Sequence, residues 1–244
     1  MDGKTDDGTN FARERPRSSA LVKQGLSAFV PIYPVPTPSF DAAFRAALLT
    51  LFEWRRDVRH FRSDPLPPGL LAELLETAAL APSVGLSQPW RFIIVDDPAR
   101  RAAVRDDFER CNVAALTGQA VDRAARYAGL KLAGLDQAPC HLAVFADPDP
   151  VQGGGLGRGT MPQTAAWSAV MAVHTLWLAA RAAGLGVGWV SILDPLAVAR
   201  ILDVPTDWAF IGYFCIGWPQ TEDRTPELAR EGWEQRHPPV VIQR

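Results

Sequence analysis

The 244-residue chain is predicted to combine helices and strands in one core, as an α+β or α/β protein. Helical and strand patterns alternate along the sequence. The most apolar helical stretch covers residues 164–183, and the clearest strand pattern is "WAFIGYFCIGW" at 208–218. Apolar residues make up 48% and charged residues 21% of the chain, which is ordinary for a globular protein. The length suits one large domain or two small ones.

The first 40 residues are predicted to form a flexible, Pro-rich N-terminal arm, which leaves residues 41–244 as the folded domain with a C-terminal tail. The arm is polar at first and then reads "FVPIYPVPTPSF", where the prolines disfavour both helix and central strand. The first helix is expected within residues 40–56, with Ser39 as its N-cap and Asp41 in its first turn. Its apolar face is predicted to contain Phe44, Leu48, Leu51 and Phe52.

The remaining elements follow in order along the chain. A helix is predicted at 69–81 and a strand at 91–96, and Pro98 starts a helical region that reaches about residue 135. A strand at 141–147 and a flexible loop at 151–159 precede the apolar helix, which is expected to be buried on most sides and to end at Gly184 and Gly186. A strand at 187–193, a short helix at 195–202 and the strand at 208–218 complete the prediction.

Composition argues against several classes of partner. The formal net charge of −2 gives no reason to expect nucleic-acid binding. No apolar run reaches the roughly 18 residues of a membrane-spanning helix, and no secretory signal is visible, so no membrane partner is expected. The three cysteines are widely spaced and HExxH is absent, which predicts no bound metal and favours the reducing cytoplasm.

Two glycine-rich stretches do not match a dinucleotide fingerprint. "GGGLGRG" at 153–159 has the wrong spacing, and "GLGVGW" at 184–189 precedes a strand instead of opening a helix. Both are interpreted as loop and helix-cap glycines. Ser191 ends an apolar strand without a Gly-x-Ser-x-Gly elbow, so a hydrolase nucleophile is rejected. A core hydroxyl and a ligand contact both remain open for it.

Three other stretches are candidate site segments. "EWRRDVRHF" at 53–61 contains Arg55, Arg56 and Arg59 around Asp57, which is typical either of a solvated helix end or of an anion site. "APSVGLSQPWRF" at 81–92 is either an ordinary connection or a loop that presents small polar groups. In "PELAREGWEQRHP" at 226–238, Arg236 either anchors a tail to the surface or completes an anion clamp.

These motifs, with "LKLAG" at 130–134 and "GLGVGWVSIL" at 184–193, occur in an order that resembles the nitroreductase-type flavoproteins over about residues 41–238. Within that family the chain is similar to the branch that forms 5,6-dimethylbenzimidazole. The resemblance implies an α+β nitroreductase-like fold with a central, mostly antiparallel sheet flanked by helices. It also implies a homodimer with FMN at the interface, in contact with both subunits.

The resemblance further implies a reaction that consumes the flavin. Reduced FMN is the substrate and O2 the co-substrate, without a metal. The products are 5,6-dimethylbenzimidazole, which is the lower ligand of vitamin B12, and erythrose 4-phosphate. No nicotinamide site is visible, so the reduced flavin is expected from a separate flavin reductase or a free pool. The alternatives are an NAD(P)H-dependent FMN nitroreductase or quinone reductase, and a non-enzymatic flavin-binding protein.

Roles for individual residues are implied by the same resemblance. Asp57 is expected to be the base at the ribityl carbon next to the ring, Ser191 to bond the flavin or a reacting oxygen, and the Gly85 N–H to lie where oxygen enters. FMN contacts are assigned to Arg55, Arg56, Asp57, Val58, Arg59, Ser83, Ser191 and Arg236. Four positions depart from expectation. Asp57 and Leu86 replace a serine and an asparagine of generic nitroreductases, whereas Ala133 and Trp167 replace an acid and a tyrosine expected in the synthase branch.

Overall fold

A computed structural model of the chain describes residues 37–117 and 134–244. Contacts divide the chain after Phe40, and the unit described below is Asp41–Arg244. Most of the proposed N-terminal arm, the helical pattern at 118–133 and Ala133 lie outside the described residues.

The core of this unit is a four-stranded sheet. Its strands are β1 (Trp90–Ile94), β2 (Cys140–Ala146), β3 (Gly186–Val190) and β4 (Ala209–Gly217), in the order β1-β2-β4-β3. Every neighbouring pair is antiparallel, with His141 opposite Cys215 on one side of β4 and Gly188 opposite the same Cys215 on the other. The predicted α+β fold with a mostly antiparallel sheet is therefore confirmed.

Helices cover both faces of the sheet. They are α1 (Ala42–Trp54), α2 (Leu70–Ala78), α3 (Pro98–Thr117), α4 (Gly134–Gln137), α5 (Thr164–Ala182), α6 (Pro195–Ile201) and α7 (Glu227–Arg230). The core has one part on each face of the sheet, because successive side chains of a strand point to opposite faces. On β4, Tyr213 and Cys215 pack with α3 and α6, whereas Phe214 and Ile216 pack with α2 and α5. Among the described residues, no helix is both long and apolar enough to cross a membrane.

The start and end of α1 differ from the prediction. Asp41, not Ser39, is the N-cap, because its Oδ1 accepts the Phe44 N–H at 2.7 Å. The helix ends at Trp54, and Arg55 is extended at φ −69° and ψ 116°. The arginine segment therefore follows α1 as extended chain instead of forming its last turn, and this geometry lets it reach the sheet.

The apolar helix α5 is buried on one side only. Eight of its residues, including Ser168, Leu176 and Trp177, are buried against the sheet. Trp167, Val170 and Met171 are exposed in the single chain, so the expectation of burial on most sides was wrong. The helix ends at Ala182, and Gly184 provides the left-handed turn at φ +79°. Gly186 does not end the helix, because it is already the first residue of β3.

Candidate functional site

The candidate site is built where the arginine segment joins the free edge of β3. Asp57 forms a parallel bridge with Val187, and the Val58 N–H donates to the Val187 carbonyl at 3.0 Å. This approach requires glycine on the strand. A Cβ on Gly186 would lie 2.6 Å from Val58 Cγ2, and one on Gly188 would overlap the Val58 carbonyl oxygen. The loop-and-cap interpretation of these two glycines was therefore wrong.

Asp57 is held in a fixed orientation at this edge. Its Oδ1 accepts the Trp189 N–H at 2.9 Å, and its Oδ2 lies 3.5 Å from Arg59 Nε. Burial raises the pKa of the Asp57 carboxyl above its ordinary value. The Trp189 N–H and the Arg59 guanidinium oppose that rise in pKa, while the Glu227 charge adds to it. The result is a carboxyl group closer to protonation at neutral pH than an ordinary aspartate.

Arg55 is a half-buried cation with unused donors. Its Cζ lies 5.0 Å from the centre of the Trp177 ring. Burial is the main reason that its pKa is lowered, with the Arg236 charge contributing and the Asp57 charge acting in the opposite direction. Within residues 37–117 and 134–244, its guanidinium makes neither a hydrogen bond nor an ion pair. Its N–H donors are therefore available to an anionic ligand.

The Arg56 guanidinium binds backbone carbonyls of the protein itself, unlike that of Arg55. It donates to the backbone carbonyls of Glu53, Arg55 and Arg224, the last at 2.7 Å. These bonds tie the end of α1 to the segment before α7. The role of Arg56 as a flavin contact stays a prediction, and only the N–H groups that these three carbonyls leave unused could serve a ligand.

The C-terminal tail returns to the arginine segment. Arg236 lies near enough for its charge to lower the pKa of both Arg55 and Arg56. The charges of Arg55, Arg56 and Arg236 therefore act on one another here, beside the acids Asp57, Glu53 and Asp223.

The loop at 83–88 has a strained backbone. Gly85, Leu86 and Gln88 have φ values of +56°, +52° and +43°, and the last two are unusual for residues that carry a Cβ. Two side chains hold the loop in place: Ser83 Oγ accepts the Gln88 N–H at 3.1 Å, and Ser168 Oγ accepts the Val84 N–H at 3.0 Å.

The glycine-rich loop at 153–159 packs on this strained loop. A Cβ on Gly85 would lie 2.9 Å from the Leu156 carbonyl oxygen, and one on Gly153 would lie 2.6 Å from the Gly85 carbonyl oxygen. The Gln152 side-chain amide donates to the Leu86 carbonyl at 2.6 Å. Sequence reasoning missed Gln152, and only its position beside the glycine run could have drawn attention to it.

Ser191 follows β3 directly and is exposed. It lies two residues beyond Trp189, whose N–H binds Asp57. In extended chain, two residues correspond to roughly 7 Å between Trp189 and Ser191. Its hydroxyl makes no hydrogen bond within the part of the chain that the structure describes. Trp167 is also exposed, on the outer face of α5. The same described residues contain no group of three or more His, Cys, Asp or Glu side chains that could hold a metal.

Residues 52–218 match the Nitroreductase family, and the chain belongs to that family. Within it, the chain is 59% identical to 5,6-dimethylbenzimidazole synthase from Rhodospirillum rubrum, over 85% of this chain and 98% of that protein. It is 50% identical to the 5,6-dimethylbenzimidazole synthase from Rhodobacter capsulatus, over 82% of this chain and 97% of that protein.

A solved structure shares the fold at lower identity. Oxidized iodotyrosine deiodinase bound to FMN and 3-iodo-L-tyrosine aligns with a TM-score of 0.64 and 24% identity. The alignment covers 80% of this chain and 97% of the deiodinase chain. The comparison supports the architecture of the sheet and helices.

Proposed function

We propose that this chain is a 5,6-dimethylbenzimidazole synthase. It converts reduced FMN and O2 into 5,6-dimethylbenzimidazole and erythrose 4-phosphate, with the remaining atoms of the pyrimidine ring leaving as a separate fragment, so that the flavin is a substrate. Three relatives with this name, at 59%, 50% and 46% identity over at least 82% of the chain, support the proposal.

The arginine segment fits the phosphate of FMN. Arg55 has free donors, lies half buried and has Arg236 nearby, and guanidinium groups bind phosphate through paired N–H bonds. Arg59 pairs with Asp57, and its side chain is little exposed. These residues supply the charge that holds one end of the substrate, while the ring extends toward the strained loop.

The observation that carries the proposal is Asp57. A reductase that recycles its flavin needs cations for the phosphate but no base at the ribityl chain, because that chain stays intact. Asp57 is oriented by the Trp189 N–H, and burial raises its pKa, which brings it closer to the operating pH of a general base. It takes a proton from the ribityl carbon next to the ring, where the bond to the remaining sugar chain breaks.

The other assigned residues support this step. The Gly85 N–H belongs to the strained loop and faces the space where oxygen meets the reduced ring. Ser83 fixes that loop through Gln88. Ser191 presents an exposed hydroxyl just beyond β3 and bonds either the flavin or a reacting oxygen. Val58 contacts the flavin through atoms other than its N–H, because that N–H already binds β3.

The active form is a homodimer with flavin at its interface. Large apolar side chains on α1 and α5 are exposed in the single chain, including Leu49 at 62% and Trp167 at 51%. A second copy covers such surfaces and excludes water from the flavin. A separate flavin reductase or a free pool supplies the reduced flavin. The three cysteines are free, in keeping with a cytoplasmic location.

The proposal is tested by incubating the protein with excess reduced FMN in air and analysing the products by mass. The benzimidazole is expected, together with a four-carbon sugar phosphate. A parallel incubation with NAD(P)H, oxidised FMN and a nitro compound or quinone tests the reductase alternative, since a Thermus thermophilus relative named NADH dehydrogenase is 32% identical. Intact flavin with efficient nitro or quinone reduction would contradict the proposal.

A further inference from the structure

We propose that Trp177 is a positioning residue for the phosphate-binding arginines, an inference that rests on the proposed binding of FMN. Trp177 lies on α5, distant in sequence from the arginine segment. Its indole contacts that segment in two independent ways. The ring lies under the Arg55 guanidinium at 5.0 Å, and the Nε1–H donates to the Arg56 carbonyl at 3.1 Å.

The first contact fixes Arg55 without using its donors. The indole ring offers the guanidinium its π face, 5.0 Å from Cζ, and takes no hydrogen bond from it, so the N–H groups stay available to phosphate oxygens. An arginine side chain otherwise loses considerable rotamer freedom when it binds a ligand. Contact with Trp177 restricts Arg55 before the ligand arrives, so less freedom is lost on binding.

The second contact fixes the backbone between Arg55 and Asp57. The Arg56 carbonyl lies one residue before Asp57, and the indole N–H holds it at the point where the chain leaves α1 for the edge of β3. The same indole packs against Trp189, at 6.3 Å between ring centres, and the Trp189 backbone N–H binds Asp57. One side chain of α5 thus supports both the arginine and the strand that orients the acid.

A purely structural role for Trp177 makes a different prediction. Trp177 also belongs to the apolar cluster of α2, α5 and the sheet. If it only filled that core, its replacement would weaken binding of any flavin equally. If it positions the phosphate-binding arginines, the loss is confined to flavins that carry the phosphate.

The test compares FMN with riboflavin, which lacks the phosphate, as oxidised flavins in a fluorescence titration without turnover. Trp177→Phe keeps a ring under Arg55 but removes the indole N–H, and Trp177→Leu removes both contacts. The expected loss of FMN affinity is about 5-fold for Trp177→Phe and on the order of 10- to 100-fold for Trp177→Leu. Riboflavin affinity is expected to change by less than about 2-fold in Trp177→Phe.

Trp208→Phe is the matched control. Trp208 also lies under an arginine, with Arg91 Cζ at 5.6 Å, and packs beside Phe145 in a different core cluster from that of Trp177. It should leave the FMN-to-riboflavin ratio unchanged. Thermal unfolding of each variant separates lost folding from lost binding, and Trp177→Phe provides the result if Trp177→Leu does not fold.

Three outcomes overturn the inference. If Trp177→Phe loses FMN and riboflavin affinity equally, Trp177 serves only the packing of the core. If its FMN affinity is unchanged, Trp177 does not position the phosphate-binding arginines. If the unaltered protein binds FMN no more tightly than riboflavin, the proposed phosphate site is wrong. The inference about Trp177 is then wrong as well, because it depends on that site.

Discussion

Replacement of Asp57 by asparagine should separate catalysis from folding. In the unaltered protein the Trp189 N–H donates to Asp57 Oδ1 at 2.9 Å. Asparagine keeps a side-chain oxygen that can accept this bond, so the orientation of the side chain is retained. The change removes the charge that faces Arg59 at 3.5 Å, a partly exposed pair that contributes only about 0–1 kcal/mol. Removing the charge also relieves a penalty, because partial burial raises the pKa of Asp57 and so disfavours its ionised form. The melting temperature is therefore expected to stay the same or rise.

The same substitution removes the proposed base. A positioned general base contributes about 10²- to 10⁴-fold to rate, equivalent to roughly 3–5.5 kcal/mol of activation free energy. The assay mixes reduced FMN with air-saturated buffer and measures the benzimidazole by mass, beside a titration of oxidised FMN. FMN affinity should persist while product formation falls by at least about 100-fold. Turnover within 10-fold of the unaltered protein would refute the assignment of the base.

The pH dependence of stability gives a second test of the raised pKa of Asp57. Its folded-state pKa is raised above the ordinary value of 3.8, so the folded protein binds the proton more tightly than the unfolded chain. As the pH falls through the folded-state pKa, the unaltered protein should gain stability relative to Asp57→Asn, and the gain should end below the unfolded pKa. Denaturant midpoints of both proteins at several pH values measure this difference. A relative loss of stability on acidification would show that the ionised form is the one favoured by folding.

Three further substitutions test other parts of the site. Arg55→Ala should weaken FMN binding by about 10- to 100-fold and riboflavin binding little, since charged hydrogen bonds contribute about 1.5–3 kcal/mol. The surface variant Arg62→Ala is its control, and an unchanged FMN dissociation constant would count against the clamp. Gly188→Ala should destabilise the fold by about 1–3 kcal/mol, because its Cβ overlaps the Val58 carbonyl, whereas Gly159→Ala has open space and should be neutral. Equal melting temperatures for these two variants would show that the segment at 57–58 is not packed as described. Ser191→Ala should lower product formation by about 10-fold without a change in melting temperature, because the hydroxyl is exposed. Full activity would remove Ser191 from the mechanism.

Much of the fold followed from local patterns. The strands at 90–94, 140–146 and 209–217 and the helix at 164–182 lie within a few residues of their predicted positions, because their apolar periodicity is strong. Caps were less certain. Ser39 and Asp41 are both favourable N-cap residues, and only the path of the chain decides that Asp41 binds the Phe44 N–H.

The site was only partly visible in the sequence. The arginine segment and the loop at 81–92 could be identified as candidates, and the resemblance to a family gave them roles. Gly186 and Gly188 looked like turn residues because their partner, Val58, is about 130 positions away in the chain. Trp177 and Gln152 carried no local signal, since each acts through a contact with a distant backbone carbonyl. The face of α5 was misjudged because an apolar helix can be covered by its own chain or by another copy.

The central claim is that the flavin is consumed as a substrate. It is tested most directly by measuring, over several turnovers, how many molecules of reduced FMN disappear for each benzimidazole formed when flavin is in excess and O2 is supplied. A one-to-one ratio is expected, with flavin loss continuing well beyond one equivalent per subunit. Full recovery of FMN after repeated exposure to O2, with no benzimidazole, would contradict it.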